Sequence, residues 1–407
     1  MAVNSYLKLG QKPDKTDIVS VLKMIPAKGI SFKDCVQEIA GESSVGTWTE
    51  IKTLDKKTFD KLAAKVIYLN EKDGIAKIAY PIRLFEKGNI SQLWSTIAGN
   101  IFSMKKIQDL KLLDVIFPDS YINSFPGPQF GAEGIRKMYG IKSRPIVGCI
   151  IKPKVGLSAK ETGDLAYDVF VNGVDFIKDD ETLTNMTFCP FEERVREVVK
   201  ATKRAEKITG KKKIFAFDIS APTDIMKKRA RFVKKTGGKC IMIDVVTCGL
   251  ASLQDIRSDK YGMIIHGHRA GHAAFTDDVS MLVFAKFCRL CGVDELHTGT
   301  VVGKMEGSKK DVIEINRFLT GKWGKLKPVM PVASGGLHPG LSSQLIKILG
   351  KNLIVNFGGG IHGHPNGSED GAKAALQSIE AASKGIPLNT YAKKHRELKI
   401  ALKHFKK

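Results

Sequence analysis

The latter part of the chain repeats one pattern, a short apolar run followed in most cases by an amphipathic helical segment. The eight runs are PIVGCII, GVDFI, KIFAF, KCIMIDVV, GMIIHGH, DELHTG, PVMPVA and LIVNF. Strands that are apolar along their length are covered on both faces, as in parallel sheets with helices outside. Eight such units predict a closed (β/α)8 barrel and disfavour the alternative, a doubly wound open sheet.

The first part of the chain mixes strands and helices without strict alternation. Its apolar patterns predict strands at residues 17–26, 46–54, 64–70 and 75–82 and helices at 31–42 and 89–100. This mixture predicts an α+β domain of the ferredoxin-like kind, with helices on one face of a sheet. The Pro- and Gly-rich segment 116–134 predicts a linker. We therefore expect an N-terminal domain at 1–125 and a barrel domain at 126–407.

The chain is strongly basic, with 65 Lys+Arg against 42 Asp+Glu and a net charge of +23. Basic proteins have some affinity for nucleic acid because binding releases counterions. Here the lysines occur in short runs with acidic residues between them, and the sequence contains no zinc finger or RNA-binding motif. The charge therefore indicates a solvated lysine-rich surface without a specific nucleic-acid partner, with weak polyanion binding as the alternative.

Two features predict the cellular location. No stretch approaches the roughly 20 consecutive apolar residues that cross a bilayer, and the first residues lack the apolar core of a secretory signal. Seven scattered cysteines predict reduced, mostly buried thiols rather than a disulfide framework. Cys288 and Cys291, three apart on a predicted helix, are expected to pack in the core. We expect a cytoplasmic protein without membrane segments.

Polar residues or glycines stand at the end of each predicted barrel strand. In a (β/α)8 barrel the active site is built from the carboxyl ends of the strands, where these residues would meet. In strand order they are Lys152 and Lys154; Lys178, Asp179, Asp180 and Glu181; Asp218; Asp244; His266, His268, Arg269 and His272; His297; Ser334, Gly335 and Gly336; and Gly358, Gly359 and Gly360. The set predicts an active site at this rim.

The sequence KDDE, residues 178–181, follows the second barrel strand. Because side chains alternate along a strand, Lys178 and Asp180 point to one face and Asp179 to the other. Converging carboxylates are hard oxygen ligands and suit Mg²⁺, which leaves coordination positions for substrate and water. Lys178 could be a counter-ion, or its amine could react with CO₂ to give a carbamate as a third anionic ligand. Spacing alone leaves both readings open.

Glycine-rich turns, SGG and GGG, follow the last two predicted strands. Bare backbone N–H groups can approach an anion there, and barrels commonly bind phosphate at these strands. Arg269 and His297 could hold a second phosphate. Lys304 lies between glycines in GTVVGKMEGS, which predicts a mobile loop that carries a cation over a bound substrate.

A zinc site is the alternative interpretation of His266, His268 and His272, because the last two are four residues apart. No third soft ligand is evident nearby in the sequence, and Arg269 would repel a metal ion. We therefore do not expect zinc.

Together these motifs resemble the large subunit of ribulose-1,5-bisphosphate carboxylase/oxygenase (RuBisCO), most of all its archaeal-type form III. The resemblance extends from about Tyr6 to the C-terminus, through GESSVGTWTE, IAGNIF, GCIIKPKVGLS, GVDFIKDDE, IHGHRAGHAAF, LHTGTVVGKMEG, VASGGLHPG and NFGGGIHGHPNG. It implies Mg²⁺-dependent enolisation of ribulose bisphosphate, addition of CO₂, or of O₂ as a side reaction, and cleavage to two molecules of 3-phosphoglycerate. It also implies a role in salvage of ribose from nucleotides.

The resemblance assigns roles to residues of this sequence. Lys178, carbamylated by activator CO₂, would bind Mg²⁺ together with Asp180 and Glu181. The other catalytic residues would be Lys152 in removal of the C3 proton, Lys154 in charge stabilisation, His268 in later proton transfers, Lys304 in orienting CO₂, and Glu42 and Asn100, which complete the site of a neighbouring subunit. Arg269, His297 and Ser334 would hold one phosphate, and Thr47, Trp48, Gly336, Gly358 and Gly359 the other, with Gly335 also in the substrate site.

The same resemblance implies a homodimer or a higher multiple of dimers, with no small subunit evident. Two features depart from the family pattern: Asp218 stands where Asn is usual, and the connection NRFLTGKWGKLKP is shorter than in most form III chains. The rival interpretation is a RuBisCO-like protein that enolises or isomerises another phosphorylated sugar without fixing CO₂. Retention of the phosphate residues and of Lys304 favours the carboxylase.

Overall fold

The computed structural model describes residues 5–303 and 308–406 of the 407-residue chain. None of the helices in these ranges is long and apolar enough to span a membrane. Contacts group the chain into two compact units. The first comprises the chain up to Pro126 with Gly271–Cys291 and Trp323–Leu326, and the second comprises the rest. The predicted domains at 1–125 and 126–407 remain a proposal, because these two later segments group with the first unit.

The first unit is built on an antiparallel sheet. Its strands are β1 (Ile18–Pro26), β2 (Lys65–Asn70), β3 (Ile75–Tyr80) and β4 (Ile107–Ile116). Its helices before residue 127 are α1 (Phe32–Glu42), α2 (Lys56–Leu62), α3 (Ile90–Ile97) and α4 (Asp119–Ile122), with 3₁₀ turns at Ile82–Leu84 and Asn100–Ser103. Among the described residues the four strands pair in the order β2-β3-β1-β4. The expected α+β organisation is confirmed.

One predicted strand of this unit is wrong, and one observed strand was not predicted. Residues 46–54 form no strand; Thr47 and Trp48 are exposed, and α2 follows directly. The β-preference of Thr, Trp and Ile acts where a sheet can bury them, and here they have no partner strand in the described chain. Conversely, β4 was not predicted, because its charged residues and its two register shifts against β1 interrupt the apolar alternation.

The segment 116–134 is not the simple linker that its prolines and glycines predict. It contains α4, and the buried ring of Tyr121 packs 5.8 Å from Phe85, 6.0 Å from Phe117 and 5.4 Å from Phe125, measured between ring centroids. Proline limits the length of helices but does not prevent burial of the aromatic residues between the breaks. The segment is therefore part of the core of the first unit up to Pro126.

The second unit contains a closed barrel. Its eight strands, all within the described residues, are β5 (Ile146–Ile150), β6 (Phe176–Lys178), β7 (Ile214–Asp218), β8 (Cys240–Asp244), β9 (Ile264–His268), β10 (Glu295–His297), β11 (Met330–Ser334) and β12 (Ile354–Phe357). Neighbours pair in parallel, and β12 pairs with β5 to complete the ring. The (β/α)8 barrel is confirmed, and the doubly wound alternative is wrong.

The helices from residue 131 onward complete the described elements. They are α5 (Gly131–Tyr139), α6 (Ala159–Val171), α7 (Phe191–Thr209), α8 (Thr223–Thr236), α9 (Val245–Cys248), α10 (Leu250–Ser258), α11 (Met281–Cys291), α12 (Lys309–Thr320), α13 (Ser342–Leu349), α14 (Gly359–His362), α15 (Ser368–Ser383), α16 (Leu388–Tyr391) and α17 (Arg396–His404), with 3₁₀ turns at His272–Ala274, Pro339–Leu341 and Ala392–Lys394. Local signals set their ends: Ser158 and Glu161 form a capping box before α6, and Gly210, at φ 65°, ends α7.

Apolar side chains fill the amino-terminal end of the barrel. The first residues of seven strands belong to one buried cluster: Ile146, Phe176, Ile214, Cys240, Ile264, Met330 and Ile354. Ala132, Ile135 and Tyr139 of α5 pack into the same cluster. Since this end is closed mainly by hydrophobic packing, most ionisable side chains of the strands lie toward the carboxyl ends, and Glu295, the first residue of β10, is an exception.

All seven cysteines are free thiols, and six of them are buried. Burial raises the pKa of the Cys35 thiol to about 11 and raises the pKa of Cys288 and Cys291 on α11 further. A thiol with a raised pKa is a poor nucleophile at neutral pH. The predictions of mostly buried cysteines and of core packing at Cys288 and Cys291 are confirmed, and the reduced state of the thiols stays a prediction.

Candidate active site

The carboxyl ends of the barrel strands bring the predicted ionisable residues to one rim. Lys178 ends β6, Asp218 ends β7, Asp244 ends β8, His268 ends β9 and His297 ends β10. Because all eight strands run in the same direction, these ends face the same side of the barrel. The chemistry of the site depends on which of them are in contact.

Lys178 forms an ion pair within the turn that follows its own strand. The side chain has no exposed surface. Its Nζ donates to the carbonyl oxygen of Asp179 at 2.8 Å and lies 3.3 Å from Oε2 of Glu181. Burial alone would raise the pKa of Glu181, but the positive charge of Lys178 and, at the low pH where Glu181 titrates, that of protonated His268 outweigh it and lower the pKa to about 2. Glu181 is therefore a carboxylate at every physiological pH.

Asp180 pairs with two lysines from the loop after β5. Its Oδ2 lies 2.8 Å from Nζ of Lys152, and its Oδ1 lies 3.8 Å from Nζ of Lys154. Thr182 donates from its hydroxyl to Oδ1 at 2.9 Å. Asp180 is buried, whereas both lysines keep part of their side chains exposed. The ends of β5 and β6 therefore share one cluster of three amines and two carboxylates.

Asp179 points away from this cluster, as strand alternation predicts. It meets Arg194 of α7, whose Nε lies 3.2 Å from Asp179 Oδ1, and it accepts a hydrogen bond from the backbone N–H of Asp218. Arg194 also donates to the carbonyl oxygens of Leu183 and Thr184. Asp179 is thus a structural residue that holds the turn carrying Asp180 and Glu181.

His268 connects two strand ends. Its Nδ1 lies 2.6 Å from Oδ1 of Asp244, and its Nε2 lies 3.7 Å from Oε2 of Glu181. Burial and the charge of Lys178 lower the pKa of His268, and the carboxylates of Asp244 and Glu181 oppose this. The imidazole is therefore neutral near pH 7 and can accept a proton.

The donor set of the cluster fits Mg²⁺ if Lys178 becomes an anion. Within the described residues no group of three His, Cys, Asp or Glu side chains is arranged to hold a metal ion. Asp180 and Glu181 supply two carboxylates, and the buried amine beside Glu181 is in position to supply a third oxygen ligand as a carbamate. Mg²⁺ prefers oxygen ligands and commonly takes only a few of them from the protein, while water and substrate supply the rest.

His297 and Ser334 are joined by a hydrogen bond between Nδ1 and Oγ at 2.9 Å. Arg269 approaches the same rim: a Cβ on Gly299 would lie 2.7 Å from Nη2 of Arg269. Gly299 has φ +88°, a conformation that side chains rarely adopt, so the backbone favours glycine there. The structure thus brings His297 and Ser334 into contact and sets Arg269 against the turn that follows β10.

Glycines leave space at the ends of β11 and β12. Gly335 and Gly336 have φ of 111° and 65°. A Cβ on Gly358 would lie 3.7 Å from Cε of Lys152, while a Cβ on Gly359 would have nothing within 4 Å. The turn after β12 therefore lies beside Lys152, and the glycines of both turns leave backbone accessible in the manner of a phosphate site.

Comparison with known proteins identifies the family. The family model for the N-terminal domain of the ribulose bisphosphate carboxylase large chain matches residues 5–121, and the model for its catalytic domain matches residues 131–405. The chain belongs to the ribulose bisphosphate carboxylase large-chain family. Among the relatives, the ribulose bisphosphate carboxylase of Methanosarcina mazei is 43% identical over 98% of both chains.

Two solved archaeal RuBisCO structures resemble the chain over nearly its whole length. The octameric RuBisCO of Pyrococcus horikoshii, determined with a sulfate ion, has a TM-score of 0.95 and 44% identity over 98% of this chain and 96% of that one. The dimeric RuBisCO of Hyperthermus butylicus has a TM-score of 0.92 and 44% identity over 98% of both chains. The archaeal-type resemblance seen in the sequence is confirmed.

Four of the residues assigned from the RuBisCO resemblance lie in the first unit. Nδ2 of Asn100 donates to Oε1 of Glu42 at 3.4 Å, so these two are neighbours. Thr47 and Trp48 are exposed, and 90% of the Trp48 surface is accessible. Their predicted roles stay predictions.

Lys304 lies outside the described residues, and its role also stays a prediction. Two residues of the RuBisCO barrel contribute more than the sequence indicated: Asp244, which pairs with His268, and Glu295, whose Oε2 lies 2.8 Å from Nδ1 of His266. The signal for Glu295 was present, because a charged residue two positions before His297 on a short buried strand shares its face.

Proposed function

We propose that the protein is a ribulose-1,5-bisphosphate carboxylase. It would enolise ribulose bisphosphate, add CO₂, or O₂ as a side reaction, and cleave the product to two molecules of 3-phosphoglycerate. The observation that carries the proposal is the cluster of Lys178, Asp180 and Glu181 at the barrel rim of a chain of this family. Relatives that are named ribulose bisphosphate carboxylase and match 98% of the chain support it.

Activation would begin at Lys178. Its neutral amine attacks CO₂, an N–C bond forms and a proton is released, which gives a carbamate beside Glu181. Asp180, Glu181 and this carbamate would hold Mg²⁺, which when bound supplies a Lewis acid for the C2 carbonyl and C3 hydroxyl of the substrate. Lys152 and Lys154, which pair with Asp180 in this structure, would then turn toward the substrate.

Proton transfer would fall to two residues at the rim. Lys152 would act in removal of the C3 proton, relayed with the carbamate of Lys178, and Lys154 would stabilise the developing charge. His268, neutral and held by Asp244 at 2.6 Å, would act in the proton transfers of hydration and C2–C3 cleavage. Lys304 would orient CO₂ and stabilise the new carboxylate.

The two phosphates would bind at opposite sides of this cluster. Ser334, Arg269 and His297 would hold one, supported by their contacts at the ends of β10 and β11. The glycine turns after β11 and β12 would hold the other through backbone N–H groups, together with Thr47 and Trp48. The residues proposed for substrate binding in these turns are Gly335, Gly336, Gly358 and Gly359.

Assembly would complete the site. Glu42, Asn100, Thr47 and Trp48 would serve the site of a neighbouring subunit in a homodimer or a multiple of dimers. The indole of Trp48 is exposed and therefore open to contact with another subunit. The dimeric and octameric relatives support it as well. We further propose that the enzyme acts in the cytoplasm, in ribose salvage, without a small subunit.

Labelled bicarbonate tests the function. With CO₂, Mg²⁺ and ribulose bisphosphate, the protein should incorporate the label into 3-phosphoglycerate, and the Lys178→Ala protein should not. Exchange of the C3 proton with solvent without label incorporation would overturn the proposal in favour of an enolase or isomerase of the RuBisCO-like kind. Absence of both label incorporation and C3 proton exchange would exclude the carboxylase and the enolase or isomerase alike.

A further inference from the structure

A chain of buried side chains runs from the barrel interior to the proposed phosphate site. Oε2 of Glu295 lies 2.8 Å from Nδ1 of His266, Nε2 of His266 lies 2.9 Å from Nε2 of His297, and Nδ1 of His297 lies 2.9 Å from Oγ of Ser334. Glu295 and His266 have no exposed surface, and His297 is almost fully buried. Each link joins groups that can both donate and accept, so the protons along the chain must be ordered together.

Two arrangements of protons satisfy these contacts with neutral histidines. Exactly one proton can lie between the two Nε2 atoms, because two would repel and none would leave two lone pairs facing each other. If Glu295 donates to His266, then His266 donates to His297, and His297 donates to Ser334. The hydroxyl hydrogen of Ser334 is then free to point out of the barrel.

The reversed arrangement has the opposite effect at Ser334. If Glu295 is ionised, it accepts from His266, which accepts from His297, which accepts from the Ser334 hydroxyl. Ser334 then turns its hydrogen inward and presents lone pairs to the site, where a phosphate would be repelled. The proton at Glu295 therefore decides whether Ser334 acts as a donor.

The surroundings of Glu295 favour the first arrangement. Burial raises its pKa well above the ordinary value, the neighbouring Asp294 raises it further, and the hydroxyl of Tyr139 on α5 opposes the shift. Cys240 on β8 also faces Glu295, with its own pKa raised well above the ordinary value. Burial likewise lowers the pKa of His266 and of His297 well below the ordinary value, so both rings are neutral.

We propose that Glu295 is a positioning residue that, through His266 and His297, turns the Ser334 hydroxyl outward to donate a hydrogen bond to a phosphate of the substrate. In this structure both ring nitrogens of His297 are engaged within this chain, and Nδ1 is the one that meets Ser334. The inference rests on the proposed function for the identity of the anion, and it concerns binding rather than turnover.

The test measures the affinity of ribulose bisphosphate by calorimetry on intact protein stripped of CO₂ and Mg²⁺, so that no turnover is needed. Glu295→Leu should raise Kd by about tenfold, the loss expected for a hydrogen bond to a charged group. Glu295→Gln, which keeps a neutral donor toward His266, should hold Kd within about twofold of the parent. Tyr139→Phe is the matched control in the same buried cluster and should leave Kd unchanged.

Ser334→Ala decides between positioning and a general structural role. It should weaken binding to a similar extent as Glu295→Leu, and the two changes together should cost no more than either alone, because both remove the same donor. Fully additive losses, or an equal loss in Glu295→Gln and Glu295→Leu, would overturn the inference. Melting temperatures of all variants identify any that fails to fold, and the Gln variant and Ser334→Ala keep the test decisive in that case. Binding that behaves as predicted in a protein without carboxylase activity would overturn the proposed function alone.

Discussion

The guanidinium of Arg194 lies 3.2 Å from the carboxylate of Asp179, and neither side chain has any exposed surface. The pair fastens α7 to the turn that carries Asp180 and Glu181. Burial raises the pKa of Asp179, and the charge of Arg194 opposes this, so the carboxylate depends on its partner to remain ionised. The geometry of the proposed metal ligands therefore depends on a contact outside the site.

Removal of Arg194 should destabilise the protein strongly. Arg194→Met leaves Asp179 buried without its counter-ion and should lower the free energy of unfolding by about 3–5 kcal/mol. The matched control is Arg196→Met on the same helix, which breaks the exposed pair with Glu192 and should cost at most about 1 kcal/mol. Thermal unfolding of the two variants measures the difference, and equal melting temperatures would contradict the structural role of Arg194.

Activation by CO₂ should require Lys178 and should increase with pH. Carbamate formation consumes the neutral amine and releases a proton, so a higher pH favours it at constant dissolved CO₂. Lys178→Ala should be inactive at saturating Mg²⁺, whereas the parent should regain activity after incubation with CO₂ and Mg²⁺. Full enolisation activity in protein stripped of CO₂ would show that Lys178 acts as an amine.

Lys304 should separate the two halves of the reaction. It is proposed to act on CO₂ and the new carboxylate after the C3 proton has left, so Lys304→Met should abolish phosphoglycerate formation and retain exchange of the C3 proton with solvent. Lys152→Ala should lose both activities. The two are compared by label incorporation and by proton exchange; equal loss of both in Lys304→Met would assign Lys304 to substrate binding.

A site shared between subunits predicts complementation. Glu42→Gln and Lys178→Ala homodimers should both be inactive, but in their mixed dimer one site carries both changes and the other carries neither. With random exchange about half of the dimers are mixed, so about a quarter of the parent activity should return. A tagged pull-down confirms exchange; if subunits exchange and no activity returns, Glu42 serves its own subunit.

Asp218 should make stability depend on pH. Burial, reinforced by the charge of Asp244, raises its pKa from 3.8 to about 8. Between these values the folded protein keeps a proton that the unfolded chain loses, so this group weakens folding as pH rises through that window. The side chain in Asp218→Asn stays neutral. The melting temperature of this variant minus that of the parent should therefore increase steadily from about pH 5 to pH 8. A gap that does not change with pH would mean that Asp218 is ionised in the folded state.

The barrel was predictable from the sequence because each of its strands is buried on both faces and therefore reads as a continuous apolar run. The N-terminal sheet was less predictable from the sequence. Its strand β4 has one face that carries Asp109 and Lys111, and two register shifts each move its pairing with β1 by one residue. Such a strand is defined by its partner, and a partner distant in sequence leaves no local signal.

The proposed site likewise has features that the sequence predicts and features that depend on distant partners. Position at a strand end was enough to select Lys178, Asp180 and His268, because parallel strands place their carboxyl ends together. Pairings between strands were not predictable: the contact of Asp244 with His268 and that of Glu295 with His266 each join residues more than 20 positions apart. These contacts depend on the closure of the barrel rather than on any local pattern.

Burial of Lys178 limits the size of the reagents that can reach its amine. The side chains of Lys152 and Lys154 are 30% and 53% exposed, so their amines can react with aldehydes, acyl donors and aromatic reagents that modify amines. The side chain of Lys178 has no exposed surface. The turn has to open before any reagent reaches Lys178, and a linear molecule of three atoms needs a smaller opening than those reagents do. Protein treated with bulky amine-modifying reagents should therefore carry adducts on Lys152 and Lys154, while Lys178 stays available to CO₂. The burial of Lys178 thus determines which modification its amine receives.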